Sequence, residues 1–317
     1  MLIYTLGDSL DVVKQFPDDC IDLVLTSVPY ERKVRYIDPD DPLAALEIGH
    51  EETPGEYVQK LLDLTDEWAR VLKDTGSIAI DIGDSSAGSG GAGGDYSDDG
   101  KKSGRFKYEG TAAAARRRPG SWPLDKSLCM IPEAYRMSLA YGRNVLTGQP
   151  IENQWIVRNV VRLCSVNPPR GRMADKYTPA VTEVVVATLS RDRFFDESHA
   201  NPSRYVKDGV SSHRAMDWWV IKQQGIKGHP AVWPENTIQG FITALCPRSG
   251  VVLDPFAGSG LTLAAAGDYG RHAVGIELYP EFLPVAVDQV GMYLENREPR
   301  EAAEWLSHNR LVFQSAG

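Results

Sequence analysis

The sequence predicts an α/β protein built on one doubly wound, mostly parallel sheet. Three observations carry that expectation. Strand-like apolar runs and helix-like patterns alternate along the whole 317-residue chain, as they do when helices cross over between parallel strands. A glycine loop, Asp254-Pro255-Phe256-Ala257-Gly258-Ser259-Gly260, joins the apolar run Val251-Val252-Leu253 to a helix-like segment at residues 261–266. Near the other end of the chain, Thr26-Ser27-Val28-Pro29-Tyr30 emerges from a second apolar run, residues 21–25. In open parallel sheets ligands bind beyond the C-terminal ends of strands, so both segments belong to one edge and the two chain ends must meet there. The chain therefore reads as a single catalytic domain over residues 1–317, with a basic, flexible insertion at 85–126 and a short segment at 190–228 that recognises the target.

Taken in order, the strand-like run Ile21-Asp22-Leu23-Val24-Leu25 leads into Thr26 and Ser27. Thr53-Pro54-Gly55-Glu56 is a capping box with proline at the first helical position. It opens a helix whose Tyr57, Leu61, Leu64, Trp68 and Leu72 recur at core-facing spacing and carry no chemistry. Glu183-Val184-Val185-Val186 reads as a further strand. After the glycine loop and its helix, His272-Ala273-Val274-Gly275-Ile276-Glu277 is a strand that ends in a carboxylate 17 residues after Gly260.

The glycines let backbone approach a ligand closely, and helix N–H groups face it. Sterics alone also demand glycine in such a turn; the downstream Glu277 favours a ligand, because an acidic residue there accepts both hydroxyls of a ribose. A nicotinamide dinucleotide is disfavoured, since Leu261-Thr262-Leu263 follow Gly260 and the full Gly-x-Gly-x-x-Gly pattern is missing. A nucleoside cofactor without pyrophosphate fits better. At the other segment, Ser27 Oγ and the Val28 carbonyl are acceptors able to hold the hydrogens of a conjugated exocyclic amine and draw its nitrogen toward tetrahedral geometry. Pro29 fixes the turn, and Tyr30 offers a ring on which a base can stack. The plainer alternative is a strand exit with a core tyrosine. Together the two segments suggest methyl transfer to the exocyclic amine of a DNA base.

At these residues the chain resembles the amino-group-specific DNA methyltransferases that use S-adenosylmethionine, whose hallmark is Ser/Asp-Pro-Pro-Tyr/Phe with a Phe-x-Gly-x-Gly loop. The catalytic motif comes first and the cofactor loop last, as in the circularly permuted beta class, and the resemblance extends over nearly the whole chain. It implies a Rossmann-like sheet, a flipped target base, and catalysis by Ser27, Val28, Pro29 and Tyr30. It also implies that S-adenosylmethionine contacts Asp254, Pro255, Phe256, Gly258, Gly260, Glu277 and Leu278, with Asp8 near its adenine. His229 and Pro230, within residues 227–235, would cover its methionine end. Serine at position 27 points to cytosine N4 as first choice, with adenine N6 as alternative. Two departures stand out: Val28 occupies the place of the first proline, and residues 160–169 differ from the usual Trp-x-Lys-x-x-x-x-Pro pattern.

A formal net charge of −9 is unusual for a DNA-binding chain. The charge is unevenly distributed, however. Residues 101–118 hold Lys101, Lys102, Arg105, Lys107, Arg116, Arg117 and Arg118 against Glu109 alone, directly after the glycine-rich stretch 87–94. That loop is expected to bind DNA; a solvated surface loop is the alternative. Four scattered cysteines and six unclustered histidines offer neither disulfide framework nor metal site, and the absence of a Pro-Cys pair speaks against cytosine-C5 chemistry through a thiolate. No apolar run approaches the ~18 residues of a membrane span, and Met1-Leu2-Ile3-Tyr4 lacks the cationic lead of a signal peptide, so a cytoplasmic protein is expected. Further expectations are a cognate restriction endonuclease and a homodimer. The competing classes are an RNA or protein-amide methyltransferase and a catalytically silent DNA-binding module.

Overall fold

The computed structural model describes residues 1–31, 35–38, 40–87, 122–124, 126–168, 177–199, 206–207, 210–211, 216–222 and 235–314. Their elements run β1 (Leu2–Leu6), α1 (Ser9–Val13), β2 (Ile21–Ser27), α2 (Pro54–Val71), β3 (Leu72–Ile82), α3 (Ile131–Tyr141), β4 (Ile156–Ser165), β5 (Val181–Thr188), β6 (Val206–Lys207), β7 (Val210–Ser211), β8 (Trp218–Ile221), α4 (Glu235–Leu245), β9 (Val251–Asp254), α5 (Leu261–Asp268), β10 (His272–Glu277), α6 (Leu283–Val290), β11 (Leu294–Asn296) and α7 (Pro299–Gln314). Nine strands form one sheet in the order β11-β1-β10-β9-β2-β3-β5-β4-β8, while β6 and β7 pair separately. Within the nine, β5 runs antiparallel to both neighbours and every other pairing is parallel.

Period-two alternation sends strand residues to opposite faces, and each face buries its own core. One core gathers Ile3, Val24, Ile78, Ile80, Leu253 and Val274 under α1, α2, α3 and α7. The other gathers Tyr4, Leu23, Leu25, Val252 and Ala273 under α4, α5 and α6. The doubly wound expectation holds, with helices on both faces. The chain's two ends meet as required, since β1 and β2 from the N-terminal part flank β10 and β9 from the C-terminal part.

Two details depart from the sequence reading. Helix α2 has its capping box, with Thr53 Oγ1 accepting from Glu56 N and Glu56 Oε2 from Thr53 N. It ends at Val71, and Leu72, placed on the helix by spacing, is already the first residue of β3. Both positions are apolar and buried, so periodicity alone could not separate them. The segment 190–228, expected to serve recognition, also contributes to the scaffold. Its Trp218–Ile221 adds a parallel edge strand beside β4, because Trp219 and Ile221 are buried and the Trp219 ring packs 4.5 Å from that of Phe241 on α4. No helix among the described residues is long and apolar enough to cross a membrane. The four cysteines are free thiols.

Candidate active site

Along one edge of the sheet lie, side by side, the C-terminal ends of β1, β10, β9, β2 and β3. They carry Asp8, Glu277, the glycine loop, the Ser27–Tyr30 turn and Asp81, so the structure brings together both halves of the site read from sequence. Strands in a sheet are ~4.8 Å apart, which puts the β10 and β2 ends about 10 Å from each other.

The glycine loop is held from several sides. Gly258 and Gly260 have φ of +47° and +75°, left-handed backbone that side chains rarely adopt. A Cβ on Gly260 would also lie 3.1 Å from Ala286 and Val290 of α6. The buried Tyr4 hydroxyl donates to Gly258 O at 2.7 Å. Asp254 is turned inward, where its Oδ1 accepts from Thr26 Oγ1 at 2.7 Å and from Phe256 N at 3.1 Å. That carboxylate therefore ties β9 to β2, and burial holds its pKa above the ordinary value despite these donors. Pro255 is buried beside it, and Phe256 is half-buried against the α1–α2 core.

Glu277 sits half-buried at the tip of β10, with Leu278 half-buried next to it. Its Oε2 accepts from Gly258 N and its Oε1 from Tyr279 N, each at 2.8 Å. Burial pushes the carboxyl up to about 7, and nearby Asp254 adds to the rise against the pull of the backbone donors. Asp8 caps α1, its Oδ1 accepting from Asp11 N at 3.1 Å, and Gly7 N donates to Glu277 O at 2.9 Å. The tips of β1 and β10 are thus locked in one unit.

Ser27 is exposed at the end of β2, whereas Val28 is buried and Pro29 and Tyr30 half-buried. All three non-proline residues of the turn bond one partner that the sequence reading did not assign to the site. Ser27 Oγ donates to Asp81 Oδ2 at 3.0 Å, Tyr30 Oη donates to the same oxygen at 2.7 Å, and Val28 N donates to Asp81 O at 3.2 Å. Burial, together with the Asp81 charge, raises the Tyr30 phenol well above its ordinary value and keeps it a donor. The Tyr30 ring also leans on Gly83, where a Cβ would fall 2.6 Å from the ring. Behind the turn, Tyr57 Oη donates to Pro29 O at 2.8 Å, so a residue read as pure core also reaches the site. Glu31 follows the turn into the interior and accepts from Ser85 Oγ. A sequence signal for Asp81 existed: a carboxylate inside the apolar run Ile78-Ala79-Ile80-Asp81-Ile82 needs polar partners, and it is only 2% exposed. His229, Pro230, Lys101, Lys102, Arg105, Lys107, Arg116, Arg117 and Arg118 lie outside the described residues.

The strand-end edge thus sets a glycine loop and the Glu277 carboxylate beside a turn that carries a hydroxyl and an aromatic ring. The comparisons give the class. A family model for DNA methylases of the N6/N4 type matches residues 21–288, and the chain belongs to that family. It is 26% identical over 288 residues to the type II methyltransferase M.SmaI of Serratia marcescens, covering 90% of this chain and 89% of that one. Its fold matches the PvuII DNA methyltransferase (cytosine-N4-specific) with a TM-score of 0.63 at 17% identity, over 98% of this chain and 94% of that one. It also matches a putative DNA modification methylase of Thermus thermophilus solved with S-adenosyl-L-methionine, with a TM-score of 0.53 at 21% identity, over 94% of this chain and all of that one.

The protein is accordingly an S-adenosylmethionine-dependent DNA amino-methyltransferase. The residues present suit that cofactor. Glu277 accepts from the backbone N–H groups of Gly258, Tyr279 and Leu278, the acceptor capacity that remains is left for a ribose hydroxyl, and such donors offset the burial that holds its carboxyl near 7.

Proposed function

We propose that the protein methylates N4 of cytosine flipped out of DNA, with S-adenosylmethionine spread across the strand ends from Asp8 and Glu277 to the glycine loop. The observation that carries this reading is the Ser27 hydroxyl at the tip of β2, donating its proton to Asp81 Oδ2. With that proton committed, Ser27 Oγ, which also lies in hydrogen-bond reach of the Tyr30 hydroxyl, has a lone pair with which to accept one hydrogen of the incoming amine. The Val28 carbonyl accepts the other, and the nitrogen lone pair is then freed from the ring. Tyr30, anchored by its hydroxyl and backed by Gly83, stacks on the base. The cofactor supplies an activated methyl group on sulfur. As the amine is alkylated it sheds a proton, for which Ser27 Oγ hydrogen-bonded to Asp81 is the adjoining acceptor path.

The serine at position 27 and the fold shared with a cytosine-N4-specific enzyme both support cytosine over adenine. Residues 101–118 provide phosphate contacts, the whole chain acts as one catalytic domain, and the similarity to type II methyltransferases suits protection of DNA against a cognate endonuclease. The test is to methylate DNA with labelled cofactor, digest it to nucleosides and separate the products. N4-methylcytosine is expected; N6-methyladenine as the labelled product would overturn the choice of base.

A further inference from the structure

Position 28 combines two facts. Valine stands where the resembling motif has proline, and its N–H, which proline would lack, donates to Asp81 O at 3.2 Å. This bond continues the β2–β3 ladder one residue past Ser27, which pairs with Asp81 in register. The residue before a proline is already confined to extended backbone, so Val28 has little ψ freedom because Pro29 follows it. The bond to Asp81 O restrains the remaining φ. A second tie lies one peptide further on, where Tyr57 Oη holds Pro29 O at 2.8 Å. Tyr57 is fully buried, and its phenol is pushed well above the ordinary value by burial and the nearby Glu51 and Glu31 charges, so it remains a donor at any working pH.

We propose that Val28 is an integrated alternative to the proline: its N–H, with Tyr57 as partner tie, positions the Val28 carbonyl and the Tyr30 ring for the amine. The inference rests on the reading that this turn holds the target base. It reverses what the motif alone suggests, namely that valine loosens the turn and that restoring proline would improve the enzyme. In this backbone a pyrrolidine carbon at position 28 takes the place of the amide hydrogen, inside contact distance of Asp81 O. Both ties are positioning devices, since the Val28 N–H and the Tyr57 hydroxyl are engaged by Asp81 O and Pro29 O.

The experiment compares wild type, Val28→Pro, Val28→Ala and Tyr57→Phe in single-turnover methylation of DNA, with S-adenosylhomocysteine affinity and thermal unfolding measured alongside. Val28→Pro is expected to lose roughly a hundredfold in rate, the scale of a 1 Å misplacement. Val28→Ala, which keeps the N–H, falls less. Tyr57→Phe falls by roughly fivefold, about the worth of one hydrogen bond, with cofactor affinity retained. A Val28→Pro enzyme as fast as Val28→Ala, or faster than wild type, would overturn the proposal. So would a Tyr57 variant whose rate and cofactor affinity fell together. Should Val28→Pro fail to fold, hydrogen exchange at Val28 in the wild-type protein decides: slow exchange supports the tie, and the rate of an open amide refutes it. Failure of the underlying reading looks different, since Ser27→Ala would then methylate DNA as fast as wild type.

Discussion

The Ser27 hydroxyl donates to Asp81 Oδ2 at 3.0 Å, across a strand pair in which the two residues stand in register. The same oxygen takes the Tyr30 hydroxyl at 2.7 Å, so one carboxylate sets the direction of both side chains assigned to the base. Replacing Asp81 by asparagine removes the charge while keeping the size. A hydrogen bond to a charged group is worth about 1.5–3 kcal/mol, so single-turnover methylation should fall about ten- to hundredfold with cofactor affinity unchanged. Ser27→Ala and Tyr30→Ala should do likewise. The Ser27→Ala/Asp81→Asn double variant should fall short of the sum of its parts, because the two residues act as a unit. Additive losses in that cycle would separate Asp81 from the serine.

Glu277 gives the cofactor step a pH dependence. Ribose hydroxyls are donors and bind best to the ionised carboxylate, so affinity for S-adenosylhomocysteine should rise with pH through about 7 and level off above it. The protein without cofactor behaves oppositely. A carboxyl raised from its ordinary 4.5 favours the folded state below that value, and this contribution is lost as pH climbs to about 7. Glu277→Ala should weaken cofactor binding by about 1–3 kcal/mol, the cost of unpaired hydroxyls, and flatten the pH profile. Titration calorimetry at several pH values checks both, and a profile that stays steep in the variant would move the titrating group elsewhere.

Gly83→Ala tests the support behind Tyr30. The added Cβ would lie 2.6 Å from a ring whose hydroxyl is fixed to Asp81, so the ring must tilt and carry its stacking face with it. Methylation rate on DNA should drop by tens of fold, and overpacking should cost about 1–3 kcal/mol of stability. Cofactor affinity should persist. Thermal unfolding and single-turnover rates on the same preparation distinguish a tilted ring from a collapsed protein.

What sequence made visible was local. The glycine loop, the carboxylate at the end of the following strand and the capping box at Thr53 each occupy a short window, and each is where the sequence reading placed it. Asp81 escaped because its role is set by the pairing of β2 with β3, across 54 residues that no local pattern connects. Tyr57 escaped differently. Its helical spacing correctly predicts a buried ring, yet spacing describes the face a residue occupies, not the point its hydroxyl reaches. Trp218–Ile221 was hidden by brevity, four residues being too few for an alternating pattern to declare a sheet strand.

The basic loop is tested through salt. If residues 101–118 neutralise phosphates, replacing Arg116, Arg117 and Arg118 by alanine weakens binding to every DNA sequence alike, because phosphates carry no sequence information. Each lost contact should also make the slope of log K against log salt shallower by roughly 0.9, and cofactor affinity should stay constant since the strand-end site is untouched. Fluorescence anisotropy with several duplexes over a salt series measures both quantities. A lost sequence preference at constant slope would assign the arginines to base edges instead. Unchanged affinity and slope would leave the charge of this loop solvated and remove it from the DNA interface.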